Sequence, residues 1–342
     1  MNTLACLAAA SVLGLAGFAG VADAQTTTTL SSVKHRGSVS CGVNSGLPGF
    51  SQSDDKGNWA GLDVDYCKAI AAAIFGDVEK VKYVPTTAQQ RFTALQSGEI
   101  DVLIRNTTWN ITRESSLGAV FAGVNYYDGQ GFLAKASRGA KTVKELDGAS
   151  VCVGSGTTTE LNLSDYFKSY NIIYTPVVIK DTNEALQAYL AGRCDVYTAD
   201  QSALHASRIQ LPRPKDHVVL PEIISKEPLG PSVRRGDEQW LTIVKWVHFA
   251  LLNAEELGIT QGNVEQMRNS TNPEIKRFLG NEGDLGNDLG LDADFAAKVV
   301  RAVGNYGELF ERNVGSASRL NIGRGLNKLW TNGGIQYAPP FR

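Results

Sequence analysis

The sequence predicts an α/β protein built from two similar lobes. Strand and helix patterns alternate along the first part of the chain, an order that builds a parallel sheet flanked by helices. A unit made of a helix end, a glycine and an Asp-Val strand occurs at Gly98 and Asp101 and again at Gly192 and Asp195, with the same offset of 94 residues (192 − 98, 195 − 101). We therefore expect a mostly parallel sheet in each lobe and two crossover strands between the lobes.

The first lobe is predicted to hold three strands and two helices. Apolar runs between turn residues predict strands, and apolar residues three or four apart predict helices. Asp63 is the expected N-cap of the first helix, and Gly98 the left-handed C-terminal cap of the second. The Thr-rich start is expected to be disordered. The predicted strands are 37–43, 78–84 and 101–104, and the predicted helices are 59–75 and 86–98.

The second lobe repeats this alternation between two extended apolar stretches. The stretch at 126–135 is the first crossover, and the stretch at 223–233 is the second. Two crossovers indicate a hinge between the lobes. The predicted strands of this lobe are 150–153, 172–178, 195–198 and 218–220, and the predicted helices are 143–146, 160–170 and 183–191.

The C-terminal region is predicted to add helices to the first lobe. Apolar residues have helical spacing between Trp240 and Leu251 and again between Phe295 and Phe310. A Gly/Asp/Asn loop at 280–292 separates them, with Asp292 as the expected N-cap of the later helix. We expect the aromatic, proline-rich tail to pack on the first lobe.

Residues 1–24 have the features of a secretory signal peptide. Positions 4–22 are small and apolar and Ala22-Asp23-Ala24 fits a cleavage site, although Met1-Asn2-Thr3 has no Lys or Arg. We expect an exported, periplasmic protein, and a single membrane helix is the alternative. The remaining chain divides into lobe one (25–132), lobe two (133–224) and a return to lobe one with a C-terminal helical extension (225–342).

Composition limits the class of protein and its partners. The chain has 342 residues, of which 43% are hydrophobic, and a formal net charge of −2. This is enough for two domains with a sizeable core. The balanced charge argues against a nucleic-acid partner, and no segment after residue 25 is long and apolar enough to span a bilayer. We expect a monomer.

Four cysteines remain after residue 24, an even number in an oxidising compartment. They fall two in each lobe, so we expect the disulfides Cys41–Cys67 and Cys152–Cys194. A zinc site is the alternative, but no CxxC or close Cys/His spacing supports it. We therefore expect no metal site.

Polar side chains follow the Asp-Val strand of each unit. Asn106 and Thr108 follow the first strand, with Arg113 shortly after, and Asp200 follows the second at the position that matches Asn106. Ligands bind at the carboxyl ends of strands in open α/β sheets. A guanidinium near hydroxyl and N–H groups suits a carboxylate, and Asp200 suits a cation. The alternative is that Asp200 only caps the helix that starts near Gln201.

A glycine-rich turn at 154–160 leads into a helix of the second lobe. The first N–H groups of a helix have no intrahelical partner, so Thr158 is a candidate ligand for an anion. A capping box between Thr157 and Glu160 is the alternative. The GxGxxG pattern is incomplete, which argues against a dinucleotide site.

Arg91 is a further candidate ligand residue. It lies in the predicted first turn of a helix, where a cation is unfavourable because of the helix dipole. Ligand contact would explain this position, and an ordinary solvated arginine is the alternative.

Together these residues resemble the periplasmic solute-binding proteins of ABC importers, specifically the group that binds polar amino acids. The resemblance covers essentially the whole mature chain, and its C-terminal end is similar to the general L-amino-acid-binding subgroup. It implies a type II periplasmic-binding-protein fold whose two lobes close on a free amino acid, and delivery of that amino acid to an inner-membrane ABC permease. The residues that carry it are 61–65, Asn106–Thr108 with Arg113, 154–158, Cys194–Val196 with Asp200, and 337–342.

The resemblance also implies roles for single residues. Arg113, with Thr108 and the Thr158 amide, would hold the α-carboxylate of the ligand. Asp200, with Asn106, would hold the α-ammonium group.

The resemblance does not single out one side chain for the amino-acid ligand. Arg91 matches a position that contacts the side chain in relatives selective for acidic residues. Leu47 and Asn44 depart from the family pattern, which has a stacking aromatic residue and, in binders of acidic residues, an arginine at these positions. We therefore expect a broad class of ligands that includes Glu, Gln, Asp and Asn.

An enzyme is the main alternative. Periplasmic dehydratases that act on prephenate or arogenate share the fold and also need an arginine-lined pocket. However, the sequence has no nucleophile elbow, no His ligand spacing and no clear general acid, so we expect no catalytic residues and no cofactor. A ligand-sensing partner of a chemoreceptor would use the same site.

Overall fold

The structure is a computed structural model that describes residues 28–342, apart from the side chains at positions 182 and 183. The predicted signal peptide lies outside the described residues. Within residues 28–342, no helix is both long and apolar enough to cross a membrane.

Alternating strands and helices run from residue 29 to residue 256, and the elements after residue 260 are helices. The strands are β1 (Val39–Asn44), β2 (Gln52–Ser53), β3 (Trp59–Ala60), β4 (Val81–Thr86), β5 (Val102–Leu103), β6 (Ala119–Phe121), β7 (Tyr126–Lys135), β8 (Ala149–Gly154), β9 (Tyr174–Ile179), β10 (Val196–Asp200), β11 (His217–Val219), β12 (Lys226–Leu229) and β13 (Ser232–Arg234). The α-helices are α1 (Thr29–Arg36), α2 (Leu62–Phe75), α3 (Arg91–Ser97), α4 (Ile111–Ser115), α5 (Thr158–Ser169), α6 (Thr182–Leu190), α7 (Gln201–Arg208), α8 (Glu238–Glu256), α9 (Val264–Met267), α10 (Pro273–Phe278), α11 (Leu285–Asp288), α12 (Phe295–Val303) and α13 (Tyr306–Asn313). The predicted helix at 143–146 is a 3₁₀ helix, Val143–Leu146.

Two sheets form the two lobes, which confirms the predicted α/β class. The first sheet has the order β4-β1-β5-β13-β6, and the second has the order β11-β7-β10-β8-β9. Both sheets are mixed rather than mostly parallel. The strands of the β-α-β units pair in parallel, whereas β7, which leads into lobe two, and β13, which follows the return to lobe one, pair antiparallel with their neighbours.

The two crossovers lie side by side. Strand β12 pairs antiparallel with β7, so that Glu227 lies opposite Asp128 and Leu229 opposite Tyr126. The lobes are therefore joined by one two-stranded ribbon. The predicted domain boundaries at 132/133 and 224/225 stay a prediction.

Helix α1 occupies part of the start that was expected to be disordered. The Thr28 side chain accepts a hydrogen bond from Ser31 N, and Gly37 ends the helix at φ = 75°. Leu30 and Val33 are buried against the core of lobe one. The prediction of disorder rested on the Thr-rich composition and did not take account of the caps at both ends of this helix or of its buried face.

Two predicted caps are wrong. Gly61, not Asp63, is the N-cap of α2, and Asp294, not Asp292, is the N-cap of α12. The Asp292 carboxylate forms an ion pair with Lys298 instead. The predicted cap at Gly98 is confirmed, since this glycine is left-handed and its N–H donates to Leu95 O.

Each lobe contains one disulfide. Cys41, in β1, is bonded to Cys67, in α2, and Cys152, in β8, is bonded to Cys194. These are the pairs predicted from the sequence. The first disulfide ties β1 to α2, and the second ties β8 to the turn before β10, so each lies within one lobe.

The C-terminal extension packs on lobe one and reaches the first crossover. Phe341 lies against Trp246, Phe278 and Phe295, as expected for a packed tail. The Asn327 side chain accepts a hydrogen bond from Tyr127 N at 2.7 Å and donates one to Tyr127 O at 3.0 Å.

Candidate functional site

The six predicted site residues line one cavity between the lobes. Lobe one contributes four of them and lobe two contributes Thr158 and Asp200. The cavity lies at the carboxyl ends of β5 and β10, as predicted from the repeated unit. The four residues from lobe one are Arg91, Asn106, Thr108 and Arg113.

Asp200 is a buried carboxylate that does not act as a helix cap. It occupies the N-cap position of α7, but its side chain makes no capping hydrogen bond, which argues against the alternative considered above. It accepts a hydrogen bond from the Asn106 side chain. Burial, followed by the nearby Asp128 and Glu227 charges, raises the pKa of Asp200 well above its ordinary value. A cation is the natural partner of such a group.

Asn106 is held in a rare backbone conformation at the end of β5. Its φ angle is +35°, and its backbone N donates to Asp63 Oδ2 at 2.9 Å. Asn44 Nδ2 donates to Asn106 Oδ1 at 3.0 Å. Asp63, the cap that was wrongly predicted, therefore positions Asn106, and burial raises its pKa to about 6.

Arg113 is buried beside Thr108. It is 5% exposed, and its Nη1 donates to Thr108 O at 2.7 Å. Asn110 caps the short helix α4 by accepting a hydrogen bond from Arg113 N at 2.9 Å. Burial lowers the pKa of Arg113 to about 10, and Glu227 and Asp200 oppose this shift.

Arg91 is also buried and has few partners. It is 2% exposed, its Nη1 donates to Thr107 Oγ1 at 3.4 Å, and its Nε has no hydrogen-bond partner. Burial, and then the charges of Arg113 and Arg105, lower its pKa well below the ordinary value. The alternative of a solvated surface arginine is thus excluded by its burial.

A third buried arginine, Arg105, also lines the cavity and was not predicted from the sequence. Its Nε donates to Thr86 O at 2.8 Å, and burial lowers its pKa to about 10. It stands next to Asn106, so its position at a strand end was a usable signal. No ion pair within residues 28–342 involves Arg91, Arg105 or Arg113.

Glu227 was also missed, and it links both lobes to the hinge ribbon. This side chain of β12 is 1% exposed. It accepts hydrogen bonds from Thr108 Oγ1 of lobe one at 2.5 Å and from Thr158 Oγ1 of lobe two at 2.8 Å. Asn162 Nδ2 and Ser225 Oγ also donate to it. No sequence pattern marks an acid in a crossover strand as a partner of four donors.

The start of α5 combines a cap with unused backbone donors. Thr157 Oγ1 accepts a hydrogen bond from Glu160 N at 3.1 Å, and Glu160 Oε2 accepts one from Gly156 N at 2.9 Å. Thr158 is the first residue of the helix, so its own N–H has no intrahelical acceptor. The capping interaction and an anion site are therefore compatible.

The lobes touch each other around the cavity. Gln89 Nε2 donates to Ser155 Oγ at 2.9 Å, and the hydroxyl groups of Thr108 and Thr158 lie 3.3 Å apart. The structure thus has a closed arrangement in which the cavity walls come from both lobes.

The histidines lie outside the cavity lining. His248 is buried with its Nδ1 3.0 Å from Tyr66 Oη, and burial lowers its pKa to about 4. His217 Nδ1 lies 2.7 Å from Tyr189 Oη. No histidine is among the residues that line the described cavity.

The molecule has two α/β lobes joined by a two-stranded ribbon. Arginines from lobe one and Asp200 from lobe two line the cavity between them. These features define a two-lobed ligand-binding protein. Residues 39–260 match the bacterial extracellular solute-binding proteins, family 3, and the chain belongs to this family. The family is one of solute-binding proteins rather than enzymes, so the dehydratase alternative is not favoured.

Similar proteins span nearly the whole chain. The general L-amino acid-binding periplasmic protein AapJ of Rhizobium johnstonii is 61% identical over 97% of this chain and 98% of its own length. The glutamate/glutamine/aspartate/asparagine-binding protein BztA of Rhodobacter capsulatus is 56% identical over 94% of this chain and 96% of its own length. A periplasmic binding protein from Brucella ovis, solved with glutathione bound, has 59% identity and a TM-score of 0.91 over 92% of this chain and 99% of that chain.

Proposed function

We propose that this protein binds a free polar L-amino acid of the Glu, Gln, Asp and Asn class between its lobes and delivers it to an inner-membrane ABC permease. The observation that carries the proposal is the separation of charge in the cavity. Arg113 of lobe one and Asp200 of lobe two are both buried, and neither has an ion-pair partner among the described residues. An α-amino acid presents an anion and a cation that match them.

The α-carboxylate binds Arg113, whose guanidinium can donate two parallel hydrogen bonds. The free N–H of Thr158, at the start of α5, adds a donor from the second lobe. The Thr108 hydroxyl donates to Glu227, so Thr108 contributes to carboxylate binding through its backbone. Ligand binding therefore uses donors from both lobes and favours the closed arrangement.

The α-ammonium group binds Asp200 and the Asn106 side-chain oxygen. Burial, and then the charges of Asp128 and Glu227, raise the pKa of Asp200, and an ammonium group beside it would lower that pKa. Asp63 supports this role, because it holds the backbone of Asn106. The side chain of the amino acid then extends toward Arg91.

The names of the similar proteins support the cargo and the compartment. AapJ and BztA are both named as amino-acid-binding proteins, and AapJ as periplasmic. We infer a monomeric periplasmic protein made with a cleavable signal peptide. A ligand-sensing role would use the same cavity. It would differ only in the partner of the ligand-bound protein, a chemoreceptor instead of a permease.

Glutathione is a second candidate ligand, because a relative with 59% identity was solved with it bound. Its γ-glutamyl residue carries the same α-carboxylate and α-ammonium groups as glutamate. Its cysteinyl and glycyl residues would need contacts beyond those assigned to Arg113, Asp200 and Arg91. We therefore rank it below a free amino acid.

A thermal-shift screen of the mature protein against the common amino acids and glutathione tests the proposal. A ligand at a thousandfold excess over its Kd stabilises the folded state by roughly 4 kcal/mol, which gives a clear rise in Tm. We expect such a rise for Glu, Gln, Asp and Asn. No rise with any amino acid would overturn the proposal, and a rise with glutathione alone would replace the ligand.

The role of Arg113 is tested by Arg113→Ala, with Arg213→Ala as the control. Arg213 is exposed, pairs with Asp216, and is not among the residues that line the cavity. Calorimetry should show a loss of at least about a hundredfold in affinity for Arg113→Ala, since the ligand carboxylate would be buried without its partner. The control should bind as the wild type does. Near-normal affinity of Arg113→Ala would reject the assigned role.

A further inference from the structure

The cavity holds more positive charge than one α-carboxylate requires. Four cationic side chains line it, against two carboxylates. A zwitterion adds one charge of each sign and leaves this excess unchanged. A ligand with a second acidic group would reduce it. The charged lining residues are Arg91, Arg105, Arg113, Lys180, Asp181 and Asp200.

Arg105 is the cationic residue from lobe one that the roles given above do not use. Its Nε is fixed by the hydrogen bond to Thr86 O, and its Nη atoms donate to no acceptor in the described part of the chain. Four N–H donors of the fork are thus available. The side chain is only 6% exposed, and burial lowers its pKa to about 10 although the charge of Asp63 opposes this shift. Buried N–H donors that lack an acceptor are unfavourable.

Arg105 and Arg91 place two positive charges on the same cavity. Both side chains line the same cavity and both are buried, at 2% exposure for Arg91 and 6% for Arg105. The Arg105 charge contributes to the lowered pKa of Arg91, after burial and Arg113. Two like charges held together in a buried site are stabilised by an anion that contacts both.

We infer that Arg105, together with Arg91, forms a second anion site that makes the cavity prefer amino acids with an acidic side chain. The inference rests on the proposed function, which assigns the α-groups to Arg113 and Asp200. A side-chain carboxylate accepts parallel hydrogen bonds from a guanidinium fork. The amide of Gln or Asn offers one acceptor, and its NH₂ group would face a cation. Arg105 thus compensates for the arginine that is missing at Asn44.

Calorimetry with Glu, Asp, Gln and Asn on two variants tests this inference. Arg105→Gln should raise the Kd for Glu and Asp by at least about tenfold, the effect of losing a charge-assisted hydrogen bond, and the Kd for Gln and Asn by less than about threefold. Arg105→Lys retains the charge but not the fork, so its loss for Glu and Asp should be smaller.

Arg213→Gln is the matched control and should change no affinity, because this arginine is exposed and outside the cavity lining. Retained binding of Gln by the Arg105 variants shows that the fold is intact. Equal losses for all four amino acids, or unchanged binding of Glu, would overturn the inference while leaving the proposed function in place. A wild-type protein that binds none of the four would overturn both. Should Arg105→Gln fail to fold, the Glu-to-Gln ratio of Arg105→Lys decides, and an unchanged ratio counts against the inference.

Discussion

The unit from Gly98 to Asn106 and the unit from Gly192 to Asp200 have the same backbone design. Both glycines are left-handed, with φ of 80° and 74°. Asp101 N donates to Ser40 O and Asp195 N donates to Ser150 O, and each aspartate carboxylate accepts a hydrogen bond from the backbone N of the same serine. The two strand ends are thus positioned in the same way in both lobes.

The electrostatics of the two units differ. Asp101 is buried and pairs with Arg36, whereas Asp195 is about half exposed. At the strand ends, lobe one has Asn106 with three arginines nearby, and lobe two has the carboxylate Asp200. The repeated backbone sets where the side chains lie, and the residue at each strand end sets the charge that the lobe presents to a ligand.

The largest expected effect concerns the disulfide of each lobe. On the chain-entropy model, replacing Cys41 and Cys67 with Ala should lower the free energy of unfolding by about 3.5 kcal/mol, and replacing Cys152 and Cys194 by about 4 kcal/mol. The second is larger because the bridged cysteines are 42 residues apart rather than 26. Urea unfolding of the ligand-free variants measures both. A larger loss in lobe one would show that loop length does not control the difference.

The next effect compares the two strand ends. Asp200→Ala should weaken binding of glutamine by about 3 kcal/mol, because the ligand ammonium group would lose a buried charged partner. Asn106→Gly should cost about 1.5 kcal/mol, the lower end of the range for a hydrogen bond to a charged group, and glycine tolerates the positive φ of this position. Calorimetry measures both affinities. Equal losses would contradict the assignment of the ammonium group to Asp200.

A smaller effect tests the shared backbone design. Gly98→Ala and Gly192→Ala should each lower the free energy of unfolding by about 1 kcal/mol, because an L-residue is strained in the left-handed region. No heavy atom lies within 3.4 Å of the added methyl group at either site, so the two losses should agree. Thermal unfolding gives the comparison. A difference of more than about 1 kcal/mol would mean that the two units are not equivalent.

The smallest effect is a difference in pH dependence. Hydrogen bonds from Ser150 lower the pKa of Asp195, so its stabilisation is present above the unfolded pKa, near 3.8, and is lost as the pH falls through the folded value. Burial raises the pKa of Asp101, so its contribution is fully present below 3.8 and falls as the pH rises through the folded value. The destabilisation caused by Asp195→Asn should therefore shrink on acidification, and that caused by Asp101→Asn should grow.

The change with pH should be a fraction of a kcal/mol for Asp195→Asn, because water screens a half-exposed carboxylate. It should be somewhat larger for Asp101→Asn, because Asp101 is buried. Urea unfolding at pH 3 and pH 7 measures them. A change of the same sign in both variants would contradict the comparison.

The positions of Asn106 and Asp200 on the cavity could be predicted from the sequence because the same strand unit occurs in both lobes. The offset between Asn106 and Asp200 needed only the chain numbering and the rule that ligands meet strand ends. The disulfide pairs followed in the same way, from two cysteines in each lobe.

What could not be predicted depends on contacts across long stretches of sequence. Glu227 collects donors from residues more than sixty positions away, such as Asn162, at 65 positions, and Thr108, at 119. Asp63 was taken as a helix cap because capping is a local property, whereas its partner Asn106 lies 43 positions away. Local patterns carry no information about such pairs.

The two hydrogen bonds between the Asn327 side chain and the Tyr127 backbone limit which part of the chain can bend when the cleft opens. Both backbone groups of Tyr127 are bonded to the extension, Val124 O accepts from Gln336 Nε2, and Asn125 O accepts from Tyr306 Oη. Hydrogen exchange should therefore show the Tyr127 amide protected with and without ligand. The segment through Tyr127 moves together with lobe one. Rotation of lobe two is therefore confined to the part of β7 that follows Tyr127 and to β12. The C-terminal extension thus fixes the start of β7 to lobe one and shortens the flexible part of the first crossover.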